Sequence, residues 1–452
     1  MRILMLAQFF PPDIGGEERH VLNLSTTLAR RGHDVSVATQ AVLGAPSYEV
    51  LDSGVRVHRF ATAAMRLPGL YSDTDRPHHP PLPDPLAVRA LAHVVRDEQP
   101  DVVHSHNWIV NSAVALRRGR AGHRRFGLVL TLHDYSHVCS VKRLMRDGEP
   151  CERPGVTGCL RCAAAHYGTA VGTVTTAATA LMRPVKDRRV DHIVSVSRAV
   201  AAGNGVADRT TPSSVIPNFI PDHLIPAADC PAADGPVADD AGQPGTGPAP
   251  DPELPTRPFL LFAGDLSEEK GVLTLLRAYE ALGQDRPPLL LVGRRHADTP
   301  RVLPEGARLG VSWSHDRVLE AFRRCAVAVL PSTWPDPCPT TVLEAMAAGR
   351  PVVTTRIGGM IDMVEDGVSG VLVRPGDIAE LSSVLGRLLA DDAERARLGD
   401  GARRRVRLFT AGSVAERLER VYASVAPPRV RVPRARDGED SLAAVGREQP
   451  CR

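Results

Sequence analysis

Two series of short apolar runs, each alternating with helix-like segments, dominate this chain. The runs have the length and β-branched content of strands buried in a parallel sheet, and the segments between them repeat apolar residues at helical spacing. The alternation predicts the α/β class, with two Rossmann-like, doubly wound parallel-sheet domains that face a cleft. The first series is residues 2–7, 34–39, 55–60, 101–104, 127–133 and 192–196. The second is residues 258–263, 288–292, 326–330, 351–355 and 370–373.

A stretch with few large apolar residues separates the two series. Residues 226–257 are rich in Pro, Ala, Gly and Asp and cannot bury a core, so we predict a flexible linker there. The 452-residue chain then divides into an N-terminal domain at 1–225 and a C-terminal domain at 258–426, with a disordered tail at 427–452. A last helix at about 411–425 is expected to pack back on the N-terminal domain.

Charge and hydropathy restrict the partners and the compartment. A net charge of +3 is too small to argue for nucleic-acid binding. No apolar run reaches the roughly 18–20 residues that span a bilayer, and no cleavage site follows the apolar start, so we expect a cytoplasmic protein. Five arginines around one helix end suit either anionic lipid at the inner membrane face or a plain solvated surface. They are Arg117, Arg118, Arg120, Arg124 and Arg125.

Ligands of open α/β sheets bind at the carboxyl ends of the strands, so the chemistry is expected in strand-to-helix loops. Gly15 and Gly16 let the backbone approach a ligand before a helix start. Neither series begins with GxGxxG, which disfavours a nicotinamide dehydrogenase. His133 ends a strand, where its ring suits a sugar hydroxyl, a phosphate oxygen or a structural contact. His104 and His106 end a neighbouring strand and leave the same alternatives open.

Two further loops carry charged side chains. Lys270 opens a helix, where it suits a phosphate or simply balances the two glutamates before it. Asp336 and Glu344 stand eight positions apart, and carboxylates suit pairs of sugar hydroxyls because they only accept hydrogen bonds. Thr341-x-x-Glu344 also has the form of a capping box, in which Glu344 would merely cap the helix. The helix start at Thr340 and Thr341 presents N–H groups to a diphosphate, so together these loops predict a nucleotide-sugar site.

With these motifs the chain resembles the retaining GT-B glycosyltransferases of family 4, over nearly its full length apart from the linker and the tail. The most specific motif is "PDPCPTTVLEAMAAGRPVV", followed by "GG" and "EDGVSGVLV". Weaker matches are "PPDIGGEERHVLNLSTTLARRGHDVSVAT", "HSHN", "TLHD", "VIPNF" and "FAGDLSEEKG". The resemblance implies transfer of a sugar from a nucleotide-diphosphosugar of the UDP, GDP or ADP type, with retention of configuration. It also implies that domain 258–426 holds the nucleotide-sugar and that domain 1–225 holds the acceptor. The acceptor would be a glycan, a lipid-linked sugar or a small molecule, in polysaccharide or glycoconjugate biosynthesis.

The resemblance also implies a role for each matched residue. Glu344 would hold the ribose diol, and Asp336 would contact hydroxyls of the donor sugar. Lys270 would hold the diphosphate, close to the Gly15-Gly16 loop, and His133 would line the donor-sugar site. No metal would be required, because a lysine and helix N-termini can hold the diphosphate. Asp73-Thr74-Asp75 has the DxD form of metal-dependent transferases but lies in a Pro/His-rich loop, so we do not assign it a function.

Two positions depart from the family pattern. Asp336 stands where the family usually has glutamate, which shortens the reach but keeps the charge. Asp265 stands where it usually has arginine, and a carboxylate there would repel a diphosphate unless Arg294 or Arg295 supplies the cation. A degenerate relative that binds nucleotide-sugar without turnover is therefore one alternative, and a sugar-nucleotide epimerase on the same fold is another.

Four of the eight cysteines fall within 24 residues. Cys139, Cys151, Cys159 and Cys162 have the pattern C-x11-C-x7-C-x2-C, and the last pair has the tight spacing of zinc sites. The cluster predicts a structural zinc ion beside the cleft, with free or redox-active thiols and a disulfide as the alternatives. A cytoplasmic location disfavours the disulfide.

Overall fold

The computed structural model describes residues 1–12, 15–66, 78–117, 126–151, 154–225 and 254–428. Several sequence predictions therefore lie wholly or largely outside the described residues: the Asp73-Thr74-Asp75 loop, most of the 226–257 linker, most of the 427–452 tail, and Arg118, Arg120, Arg124 and Arg125.

The N-terminal half alternates strands and helices. Its strands are β1 Arg2–Leu6, β2 Asp34–Gln40, β3 Tyr48–Val50, β4 Arg56–Phe60, β5 Val102–His106, β6 Gly127–Leu132, β7 Met145–Arg146, β8 Glu149–Pro150, β9 His192–Ser195 and β10 Ser213–Val215. Its helices are α1 Gly16–Arg30, α2 Pro85–Glu98, α3 Val110–Leu116, α4 Val156–Tyr167, α5 Thr169–Arg189 and α6 Arg198–Gly203.

The C-terminal half repeats the pattern. Its strands are β11 Leu260–Ala263, β12 Leu289–Gly293, β13 Ala307–Val311, β14 Val327–Leu330, β15 Val352–Thr355 and β16 Val371–Val373. Its helices are α7 Val272–Glu280, α8 His315–Arg324, α9 Thr340–Ala347, α10 Met360–Met363, α11 Ile378–Ala390, α12 Asp392–Val406 and α13 Ala411–Val425.

Each half is built on one mainly parallel sheet. Over the described residues, the first sheet has the order β10-β9-β6-β5-β1-β2-β4-β3, and only β3 runs antiparallel to its neighbour. The second has the order β13-β12-β11-β14-β15-β16 and is parallel throughout. The central strands are buried on both faces, which is why they read as continuous apolar runs. Both predicted parallel sheets are confirmed.

The last helix leaves the second sheet and lies on the first. Val414, Leu418 and Tyr422 of α13 belong to the same buried cluster as Ile3 of β1 and Leu24 of α1. Arg31, at the end of α1, forms two hydrogen bonds of 2.7 Å with the carboxylate of Glu419. The C-terminal helix thus contributes to the core of the N-terminal domain.

The two passages of the chain between the sheets lie side by side. The N–H of Ile220, on the way out, donates to the carbonyl of Phe409 at 3.0 Å. The N–H of Ala411, on the way back, donates to the carbonyl of Ile220, also at 3.0 Å. These two bonds join the passages at the point where the chain leaves the N-terminal domain and later returns to it.

Candidate active site

The loops that follow β6 and β14 meet across the cleft between the two sheets. The hydroxyl of Tyr135, two residues after His133, donates to the carbonyl of Pro335 at 2.7 Å. The side-chain amide of Asn218 donates to the carbonyl of Cys338 at 2.9 Å. Both acceptors lie within two residues of Asp336, so the loop that carries His133 and the segment after β10 that carries Asn218 each contact the C-terminal loop that carries Asp336.

Lys270 and Asp336 form an ion pair in this cleft. Asp336 is buried, and its carbonyl accepts a 2.7 Å hydrogen bond from the N–H of Gly359. Side chains would not fit at the glycine pair behind this loop, because a Cβ atom at Gly358 or Gly359 would lie 2.0–2.7 Å from backbone atoms of residues 335–337. The "GG" of the sequence motif thus fixes the backbone that presents Asp336.

Glu344 is buried in α9 and is held by a histidine that sequence reasoning did not identify. Its Oε1 lies 2.9 Å from His315 Nε2 and 3.9 Å from a guanidinium nitrogen of Arg19 across the cleft. The capping box is wrong: α9 begins at Thr340 after Pro339 as N-cap, without a capping side chain. The extended Pro339 starts the helix before Thr341, so Glu344 falls too deep to cap and points to His315 instead. Thr340 and Thr341 form the first turn, as predicted.

Four histidines cluster beside the end of β6. Nε2 of His133 lies 2.8 Å from Nδ1 of His106, and the ring of His20 lies 4.9 Å from that of His133. His104 is structural, since its Nδ1 lies 2.7 Å from the hydroxyl of buried Tyr422. Burial lowers the pKa of His133 to about 4 and that of His104 to about 3. His133 is therefore neutral at physiological pH and can both donate and accept a hydrogen bond.

The glycine loop brings a second unforeseen group into the cleft. Glu17, directly after Gly15 and Gly16, accepts a 2.7 Å hydrogen bond from the side chain of Asn107. The side-chain oxygen of Asn107 in turn accepts a 3.0 Å hydrogen bond from the backbone N–H of His133. Its position directly after β5, in "HSHN", is the signal that could have marked it. Burial, together with the nearby carboxylates of Glu18 and Asp134, raises the pKa of Glu17 to about 8.

Asp265 is compensated by two neighbours on the loop that follows β12. Arg294 Nε lies 3.1 Å and His296 Nε2 3.4 Å from the same carboxylate oxygen. Burial by itself would raise the pKa of Asp265, but the guanidinium of Arg294 outweighs it and keeps the pKa below its ordinary value. Arg295 is exposed. The anion that breaks the family pattern is thus paired with a cation.

The four clustered cysteines converge on one cavity of about 20 Å³. Cys139 follows the β6 loop, Cys151 follows the β7–β8 hairpin, and Cys159 and Cys162 lie one turn apart on α4. All four are free thiols, so the structure contains no disulfide among the cysteines it describes.

Two observations concern membranes. Among the described residues, no helix is both long and apolar enough to cross a bilayer. Arg117, the one described member of the basic patch, pairs with Asp191 at 3.0 Å and is largely buried. Membrane contact by this patch stays a prediction.

Both halves of the chain match glycosyltransferase families in comparisons with known proteins. A sequence profile described as Glycosyltransferase Family 4 matches residues 14–223, and one described as Glycosyl transferases group 1 matches residues 249–405. Glycogen synthase of Mycobacterium tuberculosis is 30% identical over 443 residues, which cover 90% of this chain and 90% of that protein.

Solved structures share the two-sheet fold. Sucrose-phosphate synthase from Thermosynechococcus elongatus has a TM-score of 0.65 and 19% identity, covering 94% of this chain and 99% of its own. HepE from Anabaena, solved in complex with UDP-glucose, has a TM-score of 0.60 and 18% identity, covering 93% of this chain and 99% of its own.

Proposed function

Because the chain belongs to glycosyltransferase family 4, we propose that it transfers a sugar from a nucleotide-diphosphosugar to an acceptor with retention of anomeric configuration. Family membership and the GT-B fold, both predicted from the sequence, are confirmed by the matching profiles and the solved relatives. The observation that carries the proposal is the Lys270–Asp336 ion pair beside the start of α9.

In this proposal the ion pair is a resting state that the donor replaces. The diphosphate takes the ammonium of Lys270, with the free N–H groups at Thr340 and Thr341 aimed at the same charge. Asp336, released from Lys270, then accepts hydrogen bonds from donor-sugar hydroxyls. Neutral His133 contacts the sugar from the opposite domain, while the Gly15-Gly16 loop lies close to the diphosphate.

Glu344 would bind the ribose diol because each of its oxygens can accept from one hydroxyl. His315 supports this role by holding one carboxylate oxygen at 2.9 Å, which fixes the side chain before the donor arrives. The UDP-glucose in the HepE structure supports testing uridine nucleotides first.

The chemistry of retention would then place attack and departure on one face of the sugar. The leaving diphosphate takes the proton of the acceptor hydroxyl as the new glycosidic bond forms, and Lys270 and the helix N-terminus stabilise the charge that develops on it. The described cleft residues supply this stabilisation with a lysine and backbone N–H groups.

The decisive experiment is thermal unfolding with UDP, GDP, ADP and their common sugar conjugates, for wild type, Lys270→Ala and the control Arg277→Ala, whose side chain is exposed on α7. A ligand at about 100 times its Kd stabilises a protein by roughly 2.7 kcal/mol. We expect one nucleotide series to stabilise wild type and Arg277→Ala, and Lys270→Ala to lose the shift. No shift with any nucleotide at millimolar concentration would contradict the proposal.

Turnover separates the remaining alternatives. Release of nucleoside diphosphate that depends on an acceptor, with a product of unchanged anomeric configuration by NMR, identifies the retaining transferase. Conversion of the donor sugar without acceptor would identify an epimerase. Nucleotide binding without either reaction would identify a degenerate relative, the alternative that Asp265 raises even though Arg294 offsets the charge of its carboxylate.

A further inference from the structure

The thiol cavity beside the cleft has the composition of a metal site. Its lining includes all four clustered cysteines, which three separate elements deliver to one place: the loop after β6, the β7–β8 hairpin and α4. Cys159 and Cys162 are three residues apart on α4, so both thiols emerge from one face of that helix. Cys139 and Cys151 lie on other elements, so the fold and not their closeness in sequence brings them to this pair.

A partly buried cation, Arg146, lies beside the thiols and forms no ion pair with the residues that the structure describes. Arg146 lines the cavity, and its Nε is buried with no hydrogen-bond partner among the residues that the structure describes. Its guanidinium also fills the space in front of Gly158, where a Cβ atom would lie 2.4 Å from it. Buried donors almost always have a partner, so an unpaired one signals a missing group. A Zn²⁺ ion held by four thiolates has a net charge of two minus, and one guanidinium offsets half of it.

We propose that Cys139, Cys151, Cys159 and Cys162 bind one structural zinc ion. Four thiolates in a tetrahedron at about 2.3 Å form a closed site with no open position for a substrate or a water molecule. The thiols release their protons as the four Zn–S bonds form, and no redox partner is involved. The site goes beyond the proposed transfer reaction and does not depend on it.

The described residues contain one competing ligand set. Ring nitrogens of His20, His106 and His133 lie within 4.8 Å of one another, closer than any three of the thiol sulfurs. However, His106 and His133 use two of these nitrogens in their mutual 2.8 Å hydrogen bond. The four thiols, in contrast, all line one cavity. Zinc is also bound most often by four ligands in structural sites, and only the cysteine set supplies four.

The ion would stabilise a segment that reaches the donor-binding half. Between Cys139 and Cys151, Lys142, Leu144 and Asp147 adopt positive φ angles of 67°, 54° and 52°, which side chains disfavour. The same segment carries Arg143, whose guanidinium lies 2.6 Å from the carboxylate of Glu269, the residue before Lys270. Zinc bound at both ends would hold this strained segment in place at the domain boundary.

Metal analysis of the full-length protein, purified without added zinc, tests the site directly. We expect about one zinc per chain in wild type and in the control Cys325→Ala, whose buried thiol lies outside the cavity. We expect the Cys159→Ser/Cys162→Ser variant to lose the metal, and His106→Gln to retain it. Wild-type protein with less than about one-tenth of an equivalent would overturn the proposal, as would retention of the metal by the serine variant.

A second measurement serves if the serine variant does not fold. Wild-type protein reconstituted with Co²⁺ should show sulfur-to-cobalt charge-transfer absorption and the visible bands of a tetrahedral thiolate site. A chelator should abolish both, should expose four additional reactive thiols per chain and should speed tryptic cleavage at Arg143 and Arg146. Cobalt spectra without thiolate bands, or thiol reactivity that the chelator leaves unchanged, would also overturn the proposal.

Discussion

The carboxyl group of Glu17 holds its proton at neutral pH in the folded protein. Burial, with Glu18 and Asp134 nearby, raises its pKa from an ordinary 4.5 to about 8. Between these two values the folded state binds more protons than the unfolded state, so the free energy of unfolding falls as pH rises. We expect Glu17→Gln to remove this loss of stability. The Tm of the variant should therefore rise relative to that of wild type as the pH increases from about 5 to about 9.

Thermal unfolding across that range measures the effect. Glu416→Gln is the matched control because Glu416 lies exposed on α13. Its curve should run parallel to that of wild type. A Glu17→Gln curve that also runs parallel would mean that Glu17 is already ionised in the folded protein.

Asp265 and Arg294 should act on donor affinity as a pair. Arg294→Ala leaves the carboxylate of Asp265 without its main cation near the proposed diphosphate site. Exposed pairs of this kind contribute about 1 kcal/mol, or roughly fivefold in Kd. We expect weaker binding of the nucleoside diphosphate by Arg294→Ala and recovery in Asp265→Asn/Arg294→Ala. Calorimetric titration measures all the variants. Additive effects of the two substitutions would show that the residues act independently.

Gly271, the N-cap of α7, tests how one element positions Lys270. Gly271 has φ +80°, and a Cβ atom there would lie 1.9 Å from the carbonyl of Pro331. Gly283, just beyond α7, has φ +88° with no atom near its Cβ position. Alanine should cost about 1 kcal/mol at Gly283, from backbone strain alone. At Gly271 it should cost more than about 2 kcal/mol, because the chain must also move.

Urea unfolding gives both values, and nucleotide titration shows whether Gly271→Ala also displaces Lys270. We expect nucleotide affinity to fall only in Gly271→Ala. Equal losses of stability in the two variants would mean that the contact with Pro331 relaxes freely.

Most elements of the fold could be predicted, and those that could not have a physical reason. Strands such as β6 and β11 are buried on both faces, so their sequences are almost entirely apolar. The edge strands β3, β10 and β13 are short or partly polar, and nothing in the sequence alternation marks them. Helix α5 also lacks a clear apolar stripe and contains Pro184. It is held by close packing against α4, where a Cβ atom at Gly172 would lie 2.5 Å from the backbone of Ala163.

The candidate site divides in the same way. The motifs marked His133 because it directly follows β6, and Lys270 and Asp336 because they lie in strand-to-helix loops. The roles of these three residues stay predictions. The partners of site residues lie on chain segments far apart in sequence. The contact of Glu344 with His315 was therefore not predicted, and Arg294 was considered only as a cation for the diphosphate, not as the partner of Asp265. The capping-box error arose because the same Thr-x-x-Glu spacing fits a helix that begins earlier.

At the scale of the whole molecule, α13 stabilises the N-terminal domain, although it comes last in the chain. Tyr422→Phe would leave the buried Nδ1 of His104 without its 2.7 Å partner, a loss of about 1–3 kcal/mol. We expect hydrogen exchange to quicken in β1, β5 and β6 and to stay unchanged in the C-terminal sheet. The control Tyr279→Phe removes a 2.8 Å bond to Pro287 and should affect the C-terminal sheet instead.

Hydrogen-exchange mass spectrometry resolves the two sheets in one experiment. If Tyr422→Phe quickened exchange equally in both sheets, the two domains would unfold as one unit and α13 would not belong to the first domain alone.

The paired passages at Ile220 and Phe409–Ala411 also restrict how the cleft can open. Because two backbone hydrogen bonds join these passages, we expect them to move together and to act as one hinge between the domains. The half that carries Lys270 would then rotate relative to the half that carries His133 instead of sliding along it. Closure of the cleft would return its two halves to the same alignment.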